Sequence, residues 1–308
     1  MKSHILTFCK GLAMGAADVV PGVSGGTIAF ITGIYERLLN AFKSITPKVF
    51  GIISKEGIGA AWKHIDGTFL VALFAGIFVS ILSLAKALEW TIEHYPQLLW
   101  AFFFGLIVAS AIYIGRQVAK WDKAAIIALL AGVIIAYAIT QLSPAEANPT
   151  YLVIFFSGAI AICAMILPGI SGSFILLLLG MYAHVLGAVN DRDFLFVGIF
   201  MVGCAIGLLT FSHFLSWTFK NFRNVTLALL TGFMIGALNK VWPWQNVIST
   251  RVDSKGETVP FEMQSVFPGT YDGDPLVLMA IFLIIAGFGV VFILEMLGFG
   301  KGHKGADA

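Results

Sequence analysis

The chain reads as an all-α polytopic membrane protein built from two inverted repeats, each a Pro-Gly-x-Ser-Gly helical hairpin followed by three transmembrane helices. Three observations carry that reading. Of 308 residues, 58% are hydrophobic and only 12% charged, against about 25% charged in soluble domains. Six apolar stretches approach the ~20 residues needed to cross the hydrocarbon core. One pentapeptide occurs twice, as Pro21-Gly22-Val23-Ser24-Gly25 and Pro168-Gly169-Ile170-Ser171-Gly172, each time inside an apolar run.

Taken in order, the first repeat covers 1–142. Its motif hairpin spans 5–42, with arms 5–20 and 27–42 on either side of the pentapeptide, and its helices fall at 68–90, 97–115 and 124–142. The second repeat covers 151–298. Its hairpin spans 151–189, with arms 151–167 and 173–189, and its helices fall at 194–217, 225–243 and 276–298. The seven Trp residues, from Trp62 to Trp244, lie at or just outside the ends of these spans, as an interfacial aromatic belt requires.

The duplication rests on two stretches. From the first motif onward, Ile28/Ile175, Gly33/Gly180 and Tyr35/Tyr182 also agree, so seven of fifteen positions match. Farther on, 90–110 aligns without gaps on 217–237, with Trp90/Trp217, Thr91/Thr218 and Gly105/Gly232 identical, and Gly76 falls on Gly203. The first half carries about twenty extra residues around 43–65. Lys2 and the apolar run after it imitate a signal peptide. Lys10 interrupts that run, however, and cleavage after Gly15-Ala16-Ala17 would fall just before the motif, so retention is expected. Cys9, Cys163 and Cys204 sit in apolar segments and read as small core residues.

Topology follows from counting. If each motif element returns to its starting side, three crossings separate the motifs and the halves are inverted. Fourteen Lys and Arg then share one side and four (Arg192, Lys240, Arg251 and Lys255) the other, with Lys86 inside a helix. If each element crosses fully, the split falls to 12 against 6 and the halves are parallel. The positive-inside rule selects the first arrangement. Both termini are then cytoplasmic, and the polar stretch 245–275, with Asp253, Glu257, Glu262, Asp272 and Asp274, lies outside. Lys10 and Asp18 make arm 5–20 too polar for a lipid-exposed span, which favours a re-entrant hairpin.

The motif chemistry is that of a broken helix. Unpaired backbone at membrane depth is tolerated only in protein or beside a watery cavity. Broken segments at matching places in two halves point to a transporter's binding site. Pro21 ends one arm, Gly22, Gly25 and Gly26 free the backbone, and Ser24 and Thr27 can cap the next arm. Pro168, Gly169, Ser171, Gly172 and Ser173 repeat the pattern. Helix starts of this kind favour anions, so the pair suits a phosphate or carboxylate head. A single such motif would mark close helix packing; two in register favour a ligand. Asp18, matched by Met165, could bind a coupling proton or cation, or could cap a helix or pair with Lys10. Lys86 aligns with His213; Lys86 near a helix end would snorkel to water. Glu36 and Arg37 sit at the hairpin boundary, where Arg37 could meet an anionic head or anchor to lipid.

Other classes fare worse. No His–Asp pair accompanies Ser24 or Ser171 at a repeated position, and no H-E-x-x-H, C-x-x-C or Walker pattern is present. No cofactor or metal is expected. A net charge of +2 says nothing about partners, nucleic-acid binding has no footprint in the sequence, and no nucleic-acid partner is expected.

At Asp18-Val-Val-Pro-Gly-Val-Ser-Gly-Gly-Thr27, its continuation Gly33-Ile-Tyr-Glu-Arg37, and Leu167-Pro-Gly-Ile-Ser-Gly-Ser173, the chain resembles the polyprenyl-phosphate transporters of the PopT group. That family was formerly a membrane domain of unknown function. The resemblance runs from about residue 8 to 298. It implies a multi-pass translocase, not an enzyme, that returns undecaprenyl phosphate across the bacterial inner membrane for cell-envelope and peptidoglycan synthesis. Ser173, where the first motif has Gly26, is the one departure. The rivals are a lipid phosphatase or transferase acting on the same headgroup, and an anion channel.

Overall fold

A computed structural model describes residues 2–20, 23–143, 145, 147–252 and 258–296. Pro21 and Gly22 of the first motif lie outside the described residues, as do Asp253, Lys255 and Glu257 of the stretch 245–275.

Six described helices are long and apolar enough to cross a membrane. They are α6 (Gly67–His94), α7 (Pro96–Gly115), α8 (Lys123–Thr140), α12 (Phe194–Asn221), α13 (Arg223–Gly236, extended by a 3-10 turn, Ala237–Val241) and α14 (Val277–Met296). Each falls on a span expected from the sequence. The chain is a multi-pass, mainly helical membrane protein.

The hairpins hold the remaining apolar helices. The first contains α1 (Lys2–Val19), α2 (Gly25–Ile31) and α3 (Tyr35–Ser44). The second contains α9 (Tyr151–Ile166), α10 (Gly172–Leu178) and α11 (Tyr182–Asn190). The arms 27–42 and 173–189, expected to be continuous, are each broken in two. Gly33 and Gly180 adopt φ of 71° and 67°, which ends an α-helix. At each, the glycine N–H bonds the carbonyl three residues back and the next N–H bonds the carbonyl five back: Gly33 to Phe30 and Ile34 to Ala29, Gly180 to Leu177 and Met181 to Leu176. This double bond is the Schellman C-cap. In the second half the chain bends there by 106°.

The extra residues at 43–65 form two short helices, α4 (Lys48–Glu56) and α5 (Ile58–His64), largely exposed. The polar stretch 245–275 contains a feature the hydropathy did not reveal: strands β1 (Gln245–Val252) and β2 (Thr258–Ser265) pair antiparallel. Trp242 and Trp244 tie this hairpin's base down, donating to the carbonyls of Val266 and Pro275.

Helices pair in a crossed pattern. In the first half α1 lies along α6; in the second α9 lies along α12. The third helix of each half packs on the second helix of the other, α8 on α13 and α14 on α7. Glycines stand at every one of these crossings. A Cβ on Gly76 would strike the Phe8 carbonyl of α1, and one on Gly203 the Phe155 carbonyl of α9. Gly105 meets Ile284 and Gly287 meets Phe102; Gly232 meets Leu129 and Gly132 meets Leu229. Backbones approach this closely only where no side chain intervenes. At the centre of the core lies α2, all seven of its residues buried. At 1.5 Å per residue it is about 10 Å long, a third of a ~30 Å hydrocarbon core.

Candidate functional site

The two motif turns meet. Ser24 precedes α2 with an extended backbone, and its hydroxyl accepts from the Gly26 N–H at 3.1 Å. The same hydroxyl donates across the molecule to the carbonyls of Met165, at 3.2 Å, and Leu167, at 3.1 Å, at the end of α9. One step on, the Gly169 N–H donates to Thr27 Oγ1 at 3.1 Å. A Cβ on Gly26 would strike the Ile166 carbonyl. Residues some 140 positions apart thus share one hydrogen-bonded seam, and Ser24 and Thr27 are 1% and 0% exposed.

The turns differ in what meets their amides. At the first, the Asp18 carboxylate accepts from the Gly25 N–H at 2.7 Å. A carboxyl group belonging to the protein therefore sits at the start of α2, where backbone N–H groups and the helix dipole favour an acidic side chain. Asp18 is thus a cap, one of the roles the sequence left open. Lys10 donates to the Thr32 carbonyl at 2.5 Å. At the second turn Met165 replaces Asp18 and no side chain caps α10. Ser171 and Ser173 share a hydrogen bond at 2.8 Å between their hydroxyls. Gly169 has φ of 87° and packs on the backbone of Phe233 and Met234 in α13; Pro168 and Gly172 are buried beside it.

The second turn opens on a narrow cleft with room for about one water molecule, walled by Gly169, Ile170, Ser171 and Phe174 on one side and Thr140 and Lys240 on the other. Lys240, counted from sequence only as an outer-side charge, lies in this wall with its ammonium 4.7 Å from the centroid of the Phe174 ring. It escaped sequence reasoning because 68 residues separate it from the motif's last glycine and nothing local marks it.

The other charged residues singled out from sequence lie away from this centre. Arg37 makes a two-point ion pair with Asp66, at 2.6 and 3.0 Å, and its guanidinium stands 4.2 Å from the Phe69 ring centroid. Glu36 pairs with Arg223 at 2.7 Å. These bonds lash α3 to the starts of α6 and α13. Lys86 and His213 are exposed on α6 and α12, and the His213 ring bonds its own helix at Leu209.

A family model described as undecaprenyl phosphate translocase-like matches residues 14–259, both motifs included. The chain belongs to that family. Among curated relatives, a polyprenyl-phosphate transporter of Vibrio cholerae serotype O1 is 50% identical over 297 residues, 95% of this chain and 96% of the relative. A polyprenyl-phosphate transporter of Staphylococcus aureus is 30% identical over 256 residues, 77% of this chain and 86% of the relative. No solved structure matches the chain.

Proposed function

We propose that this protein is a transporter, not an enzyme, which moves undecaprenyl phosphate across the bacterial inner membrane and returns the carrier lipid to the cytoplasmic leaflet for cell-envelope synthesis. Family membership and two relatives named as polyprenyl-phosphate transporters support the substrate. The lipid has a small anionic head and a long apolar tail. Only the head needs a polar path; the tail can stay in the bilayer.

In this reading the halves, 1–142 and 151–298, are inverted repeats with re-entrant motif hairpins. The glycine crossings support it: Gly76 with Phe8 matches Gly203 with Phe155, and Gly105 with Ile284 matches Gly232 with Leu129. The seven-residue length of α2 and of α10, each ended at a matching glycine, supports hairpins that turn back at mid-depth. The Lys and Arg distribution supports cytoplasmic termini.

The observation that carries the mechanism is the seam itself. Ser24 and Thr27 of one turn bond directly to Met165, Leu167 and Gly169 of the other. A phosphate held by one turn is therefore within reach of the other, and breaking the seam opens a path between them. Asp18 and the phosphate compete for the Gly25 N–H. Protonating Asp18 removes its charge and weakens its hold on that amide, which is a simple way for a proton to drive the exchange. Rocking of one half against the other then exposes the head alternately.

The experiment is recycling in cells carrying Ser24→Ala with Ser171→Ala. Loss of return of surface undecaprenyl phosphate, with the protein still inserted at normal abundance, is the expected result. Unchanged recycling would remove the turns from the mechanism.

A further inference from the structure

Lys240 stands on the 3-10 extension of α13, in a cleft where the second motif supplies Ser171 and α8 supplies Thr140. Its side chain is half-buried. Among the described residues no carboxylate lies within salt-bridge reach of it, whereas Arg37 and Arg223 are each paired with an acid. A partly desolvated ammonium without a counter-charge is unfavourable unless an anion visits it. The hydroxyl pair beside it adds donor capacity: when Ser171 and Ser173 share one proton, the second hydroxyl proton remains to be given.

We infer that this cleft, which has room for about one water molecule as seen here, widens as the halves rock to become the capture site for the phosphate monoester, with Lys240 supplying the charge and the Ser171–Ser173 hydroxyl pair a hydrogen bond. The inference rests on the transport reading and adds a direction to it. Lys240 follows the crossing glycine Gly232 by eight residues, as Tyr113 follows Gly105. Thr140 follows Gly132 by eight, as Glu295 follows Gly287. Where one half offers a cation and a hydroxyl, the matched places in the other offer a phenol and a carboxylate. A phosphate is attracted at the Lys240 end and repelled at the Glu295 end, so a nearly symmetric path gains an entrance and an exit. By the Lys and Arg count, the Lys240 end faces outward.

Binding by the full-length protein in lipid nanodiscs tests this, with undecaprenyl phosphate as probe and undecaprenol and inorganic phosphate as comparisons. Lys240→Gln should weaken undecaprenyl phosphate binding by about tenfold or more, the loss of one hydrogen bond to a charged group. Lys240→Arg should retain binding, and undecaprenol binding should be the same in all three proteins, which excludes misfolding as the cause. If inorganic phosphate displaces the lipid from the wild type, the site recognises phosphate from either source. If it does not, while Lys240→Gln still fails to bind, the site recognises the lipid-borne head. Equal affinity of Lys240→Gln and wild type for undecaprenyl phosphate overturns the capture site and leaves transport standing. A wild type that neither binds nor moves the lipid overturns transport, and the capture site with it.

Discussion

Ser24 uses one hydroxyl to close its own turn and to hold the opposite one. Ser24→Ala leaves part-buried carbonyls at Met165 and Leu167 and the buried Gly26 amide short of a partner, a cost of about 1–3 kcal/mol. Ser171→Ala, whose hydroxyl meets only Ser173 among the described residues, should cost less. Thermal unfolding of the purified variants checks the order; equal losses would mean the seam does not stabilise the fold. Asp18→Asn keeps a cap on Gly25 but removes the charge that competes with phosphate. Wild-type transport should rise as pH falls and Asp18 takes up a proton, and the variant should lose that rise, a comparison made in liposomes across pH. A variant with the wild-type pH profile would free Asp18 of any coupling role. Arg37 is a lesser matter for stability. Its pair with Asp66 is exposed, at 52% and 37% of the two side chains, so Arg37→Gln should cost about 1 kcal/mol or less. The pattern Gly-Ile-Tyr-Glu-Arg pointed to these residues without revealing their partners, because Asp66 and Arg223 lie in other segments.

At the level of elements, the spanning helices were plainly legible, since a run of some twenty apolar residues has few other uses. The breaks after α2 and α10 were not read, although the signal was present: Gly33 and Gly180 are identical across the halves, and a glycine fixed inside an apolar helix often marks a C-cap. Continuous apolar residues on both sides hid it. Gly33→Ala and Gly180→Ala force a Cβ into left-handed backbone, at roughly 1–2 kcal/mol each, measurable as lowered melting temperatures. The β1–β2 hairpin was missed because its strands are short and polar and owe their position to Trp242 and Trp244. The crossing glycines make a sharper prediction. Gly76→Val and Gly203→Val push against matching carbonyls, so the two should lose stability by similar amounts. A large loss for one and none for the other would argue against matched packing of the halves.

For the whole molecule, the seam between the turns was the least legible feature. Two copies of a motif announce themselves in sequence, but their contact depends on how α1, α2, α9 and α10 pack, and Lys240 joins the second turn only through the fold of α13. What the assembled chain offers is a buried centre with two turns in contact, one closed by an acid of its own and one opening beside a lysine. The central claim is that this centre carries a phosphate head across the bilayer. Reconstitution in liposomes with labelled undecaprenyl phosphate, followed by the accessibility of the label on each face, tests it most directly. The account predicts exchange between leaflets that depends on the protein and is lost in the Ser24→Ala, Ser171→Ala double variant. Exchange no faster than in protein-free liposomes would contradict it.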